Sequence, residues 1–118
     1  MTTDLEPEPE SVRQILGDRL EDAREFAAHL AEQGEELGLI GPLEAARLWS
    51  RHLLNCALVA PLLTAGARVA DVGSGAGLPG LVLAIARPDV ELVLIEPMER
   101  RTTWLLAETE RLGLRNVT

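Results

Sequence analysis

The sequence predicts an α/β chain in which N-terminal helices precede the opening βαβα part of a parallel sheet. Three observations carry this reading. Apolar residues recur at helical spacing from Val12 to Leu62, two short apolar runs stand at 68–72 and 91–95, and glycines at 73, 75, 77 and 80 join the first run to another helical stretch. Hydrophobic residues make up 47% of the 118 positions, enough for a buried core in at most one domain. The expected organisation is an acidic tail over 1–10, a helical segment over 11–66 and the first part of a sheet domain over 67–118.

Residues 1–10 carry Asp4, Glu6, Glu8 and Glu10 with Pro7 and Pro9, a composition that buries no face, and disorder is expected there. From Ser11, an N-cap candidate, Val12, Ile15, Leu16, Leu20, Ala23, Phe26, Ala27 and Leu30 share one helical face, and the helix should stop near Gly34. Gly38, Gly41 and Pro42 form a turn. A second helix is expected over about 43–63, ended by Pro61 and Gly66. Its Glu44, Arg47, Arg51 and Asn55 fall on one stripe with His52 beside them, either a solvated face or a surface turned to a ligand.

Arg68 to Val72 reads as a strand. Leu78 to Ala86 reads as a helix opened by Pro79, and Glu91 to Ile95 as a strand buried on both faces. Glu99 to Leu112 is helical with Trp104, Leu105 and Leu112 toward the sheet. Asn116 to Thr118 begins a third strand.

The net charge of −8 is unevenly placed: residues 1–44 hold twelve acids against three arginines, whereas 45–118 hold seven acids against eight arginines. A uniform −8 opposes nucleic-acid binding, but the second part escapes that objection. Every base is arginine, whose planar fork suits phosphates and guanine edges. The lone Cys56 forms no internal disulfide and reads as a small buried hydrophobe. Pro61 interrupts Ala57–Ala67, and glycine, proline and charge punctuate Val69–Val90, so no run reaches the roughly 20 residues of a bilayer span. The acidic start lacks the basic flank of an export signal. A soluble, cytoplasmic protein with neither a membrane partner nor a metal is expected.

The glycine loop carries the chemistry. Gly75-Ala-Gly77-Leu-Pro-Gly80 has dinucleotide spacing, with Glu96 about twenty residues on. Asp71 ahead of Gly73 instead favours a cationic ligand and repels a diphosphate. A nicotinamide-binding half-domain and a fragment that binds or docks without catalysing remain alternatives.

The pattern D-x-G-x-G-x-G resembles the first motif of S-adenosylmethionine-dependent methyltransferases. With "LWSRHLLNCALVAPLL" ahead of it, the A-x-x-R-P-D turn and E-P-M-x-R-R after the second strand, residues 12–118 resemble the bacterial family RsmG, formerly GidB, which methylates guanine N7 in small-subunit (16S) ribosomal RNA. The resemblance implies a Rossmann-like methyltransferase sheet and S-adenosylmethionine as cofactor, with ribosomal RNA of the small subunit as partner. It also implies that the catalytic domain continues through further strands, so the chain is expected to be truncated. Position by position, it implies cofactor contacts at Gly73 and Leu78, a loop lined by Gly75 and Gly77, Asp71 orienting the methionine portion and Glu96 on the ribose. Arg47, Arg51 and Arg100 are candidates for holding the RNA. No catalytic base is expected, because N7 already carries a free lone pair. Several family members carry aspartate where Asn55 stands, so no charge-dependent role is assigned there.

Overall fold

The computed structural model describes residues 5–118. Its element order is α1 (Glu10–Leu16), α2 (Leu20–Gln33), a mixed helical stretch ending at Leu62, β1 (Arg68–Val72), α4 (Gly80–Ala86), β2 (Glu91–Ile95) and α5 (Glu99–Arg111), with α3 (Leu54–Ala57) inside the mixed stretch. The strands pair in parallel with Arg68 opposite Glu91 and Val72 opposite Ile95, as the βαβ reading requires. Beyond β2, the amides of Leu92 and Leu94 donate to the carbonyls of Asn116 and Thr118, so the expected third strand begins on the outer side of β2.

Residues 1–4 of the acidic tail lie outside the described residues. Residues 5–10, expected to be disordered, are instead held against the helices. Glu6 Oε1 accepts from the Ser50 amide at 2.6 Å, and Glu8 pairs with Arg13 and Arg24. Leu5 packs against the core. The charge density that argued for disorder is neutralised by partners distant in sequence.

The first expected helix is two. Gly17, with φ of 50°, breaks it after Leu16, and a 3₁₀ turn over Gly17–Arg19 restarts it. The second is also not a regular α-helix: a 3₁₀ turn (Ala45–Arg47), a π-helical stretch (Leu48–Leu53), α3 and another 3₁₀ turn (Ala60–Leu62) follow one another. The wider i→i+5 turn changes which side chains align, so the stripe from Glu44 to Asn55 is not one continuous face.

Phe26 and Leu30 of α2, Leu48 and Leu53 of the mixed stretch, and Leu81 and Ile85 of α4 are fully or nearly fully buried in one core. The sheet is covered on one face only. Half-buried Val69 and Asp71 alternate with exposed Arg68, Ala70 and Val72, and only Leu92 of β2 is fully buried. This differs from the expected two-sided burial of β2, because the helices that cover the strands pack on the side of Val69, Leu92 and Leu94.

The R-P-D turn is structural. Arg87 donates to the carbonyls of Ala60 (2.7 Å) and Leu63 (2.9 Å) and pairs with Asp89, whose carboxylate also accepts from the Gly66 amide. Asn116 Nδ2 lies 2.9–3.1 Å from the carbonyls of Ala84, Arg87 and Val90, so its two N–H groups are shared among the end of α4 and the turn that leads into β2.

Candidate functional site: a glycine loop between two strand-end carboxylates

The loop leaves β1 at its C-terminal end, where parallel α/β sheets place ligands. Its first turn is tied to β2 by the amides of Gly73 (2.8 Å) and Ser74 (3.2 Å), both donating to the Ile95 carbonyl. Ser74 is buried and its hydroxyl donates to the Asp71 carbonyl at 2.9 Å. The glycines serve two purposes. Gly73 and Gly75 have φ of 79° and 55°, and a Cβ on Gly73 meets nothing within 4 Å, so bare backbone faces open space. Gly77 and Gly80 are close-packed instead: a Cβ on Gly77 falls 2.6 Å from Leu81 Cδ1, and one on Gly80 falls 2.5 Å from both Asp71 Oδ2 and Leu94 Cδ2. Gly77, expected to line the loop, thus also lets the loop pack closely onto α4.

Two carboxylates flank the open backbone. Asp71 Oδ2 accepts from the Gly80 amide at 3.1 Å, the first N–H of α4. Glu96 Oε1 accepts from the Gly75 amide at 2.8 Å and Oε2 from the Met98 amide at 3.0 Å. These backbone donors, Met98 first and then Gly75, hold the Glu96 carboxyl below the ordinary glutamate range, with the Arg101 charge adding to the effect. Each carboxylate keeps further lone pairs for a ligand. Beneath the loop, burial pushes the Cys56 thiol up to about 12, with the Asp71 charge contributing, so it is an inert core group as expected.

A family model described as GidB, rRNA small subunit methyltransferase G, matches residues 19–118. The chain belongs to this family. The Ribosomal RNA small subunit methyltransferase G of Leifsonia xyli subsp. xyli is 67% identical over 117 residues, covering 99% of the chain and 56% of that relative. Its namesake in Clavibacter michiganensis subsp. michiganensis is 64% identical over 113 residues (96% and 53%), and that of Streptomyces avermitilis 52% identical over 115 residues (98% and 48%). The chain thus spans about half the length of the curated relatives it matches.

Of the expected site residues, Asp71, Gly73, Gly75, Gly77 and Glu96 are brought together by the contacts above, and Leu78 follows Gly77 in the same loop. The three arginines are not. Arg51 lines a cavity with Leu78 and Pro79 beside the loop, Arg47 lies near Glu6, and Arg100 lines a separate groove with His29, Gln33 and Leu37. Sequence reasoning missed Trp104 as a loop anchor. Its indole N–H donates at 3.0 Å to the carbonyl of Ala76, in the middle of the loop, while its ring stacks on His29 with centroids 5.0 Å apart. His29 Nδ1 in turn contacts the fully buried Glu108, which also accepts from Arg111. The available signal was the indole itself, since a buried Trp N–H needs an acceptor. Among the described residues no helix is long and apolar enough to cross a membrane.

Proposed function

We propose that the chain is the cofactor-binding portion of an S-adenosylmethionine-dependent methyltransferase with a Rossmann-like sheet, acting on guanine N7 of small-subunit ribosomal RNA in the cytoplasm. The observation that carries this reading is the open backbone at Gly73 and Gly75 set between Asp71 and Glu96. A ligand with an ammonium and a sulfonium at one end and ribose hydroxyls at the other fits two carboxylates separated by bare backbone. A diphosphate fits poorly. The leading N–H of α4, which a dinucleotide loop offers to phosphate, is already taken by the Asp71 carboxylate. This disfavours the nicotinamide alternative.

In this reading Asp71 orients the amino-acid end of the cofactor, Glu96 accepts from the ribose hydroxyls, and Gly73 and Leu78 lie along it. S-adenosylmethionine held between Asp71 and Glu96 would supply an electrophilic methyl group to a nucleophile that already carries a free lone pair. The chain therefore needs no general base. Its residues have to hold the base in line at near-attack distance, which is where most of the rate enhancement arises. Arg51, beside Leu78, would hold the substrate nucleotide, and Arg47 and Arg100, on other surfaces, would meet RNA phosphates.

Calorimetric titration with S-adenosylmethionine, with NAD as control, tests the cofactor. Saturable binding of the first alone, weakened in Asp71→Ala, is expected, and binding of NAD alone would refute the reading. The full-length protein should then transfer labelled methyl to small-subunit rRNA and yield 7-methylguanosine on nuclease digestion. Label on any other atom would refute the N7 assignment.

A further inference from the structure

Beside the glycine loop, a shallow cavity of about 320 Å³ is walled by Leu78 and Pro79 on the loop side and by Val59, Cys56, Asn55, His52 and Arg51 on the helical side. Its apolar surfaces suit the faces of a flat ring. Its polar groups are oriented. Asn55 Nδ2 donates to the Arg51 carbonyl at 2.7 Å. A carbonyl can only accept, so the amide must present its nitrogen there, and Oδ1 is left free as an acceptor. His52 is held by Glu44, Nε2 to Oε2 at 3.1 Å. The guanidinium of Arg51 has no hydrogen-bond or ion-pair partner among the described residues, and its side chain is exposed.

We infer that this cavity takes the target guanine, with Asn55 Oδ1 accepting from N1–H and the 2-amino group and Arg51 holding the phosphate of the same nucleotide. The inference rests on the methyltransferase reading above. Guanine presents adjacent donors on its Watson–Crick edge, whereas adenine presents an acceptor at N1, so a fixed carbonyl oxygen selects guanine and repels adenine. Binding by that edge leaves N7, on the opposite side of the ring system, turned toward the loop. The contact also strengthens during the reaction. As N7 becomes methylated the purine gains positive charge, N1–H becomes a better donor, and an acceptor on it favours the transition state over bound substrate. Arg51 is best kept off the base, since a second positive charge beside it would oppose that gain, and a phosphate contact avoids this. Asn55 therefore acts as a specificity-determining residue that touches substrate.

The test uses the full-length protein and small-subunit rRNA transcribed in vitro, comparing wild type with Asn55→Leu and Asn55→Asp. In Asn55→Leu, kcat/KM for RNA should fall about 10- to 100-fold with kcat sharing in the loss, the scale of one base-reading contact. The Kd for S-adenosylmethionine should be unchanged. Asn55→Asp keeps an acceptor and should recover most of the rate. Wild-type efficiency in Asn55→Leu, or a loss of cofactor affinity parallel to the loss of rate, overturns the inference while leaving the methyltransferase reading intact. A wild-type protein that binds cofactor but methylates no RNA overturns both.

Discussion

Replacing Trp104 by Phe isolates the bond that fixes the middle of the glycine loop. Trp104 is 4% exposed and Ala76 is 7% exposed, and the Ala76 carbonyl accepts no other hydrogen bond among the described residues. Removing the indole N–H strands that buried acceptor, at about 1–3 kcal/mol. The smaller ring adds on the order of 1 kcal/mol of lost contact. The total is about 2–4 kcal/mol. Trp49 supplies the control: it is 3% exposed, but no hydrogen bond from its indole occurs among the described residues, so Trp49→Phe should cost only the contact part. Urea unfolding of both variants, followed by far-ultraviolet circular dichroism with a common m-value, gives the difference directly. The Trp104 variant should be the less stable of the two by about 1–3 kcal/mol. Equal midpoints for the two variants would refute the claim that this hydrogen bond anchors the loop.

Two further outcomes follow from the packing of the same region. Gly80→Ala places a methyl 2.5 Å from both Asp71 Oδ2 and Leu94 Cδ2, so it should lower the urea midpoint by an amount equivalent to about 1–3 kcal/mol, despite the better helix propensity of alanine; unchanged stability would show that the ends of these two side chains move aside without cost. Cys56, whose thiol is pushed up to about 12, should resist Ellman's reagent at pH 8 in the folded chain and react at once in urea, and rapid reaction of the folded chain would contradict its burial beneath the loop.

Much of the α/β order was legible because local signals agree with the tertiary result. The strands at 68–72 and 91–95 appear with the expected bounds, since each is a short apolar run bounded by glycine, proline or charge. The site was legible to the extent that it is made of backbone. Glycines at fixed spacing after a strand, with an acid before and another at the end of the next strand, specify a loop whatever packs around it. Side chains whose partners come from distant segments were not legible. The pairing of Glu8 with Arg24, and the line from Glu108 through His29 and Trp104 to Ala76, join residues with no local pattern between them.

The sequence by itself determined the order of the elements, the parallel βαβ unit, the bare loop and the two acids beside it, because periodicity, turn chemistry and glycine placement act within a few residues of one another. Only the tertiary structure decided which glycines of the loop face open space and which are packed shut. It alone separated Arg51 from Arg47 and Arg100, and it alone set Asn55 in the wall of a cavity shared with Leu78 and Pro79. Those outcomes depend on a π-helical turn and on contacts between α2, α4 and α5, where the energy lies in excluded volume and in hydrogen bonds between residues far apart in the chain.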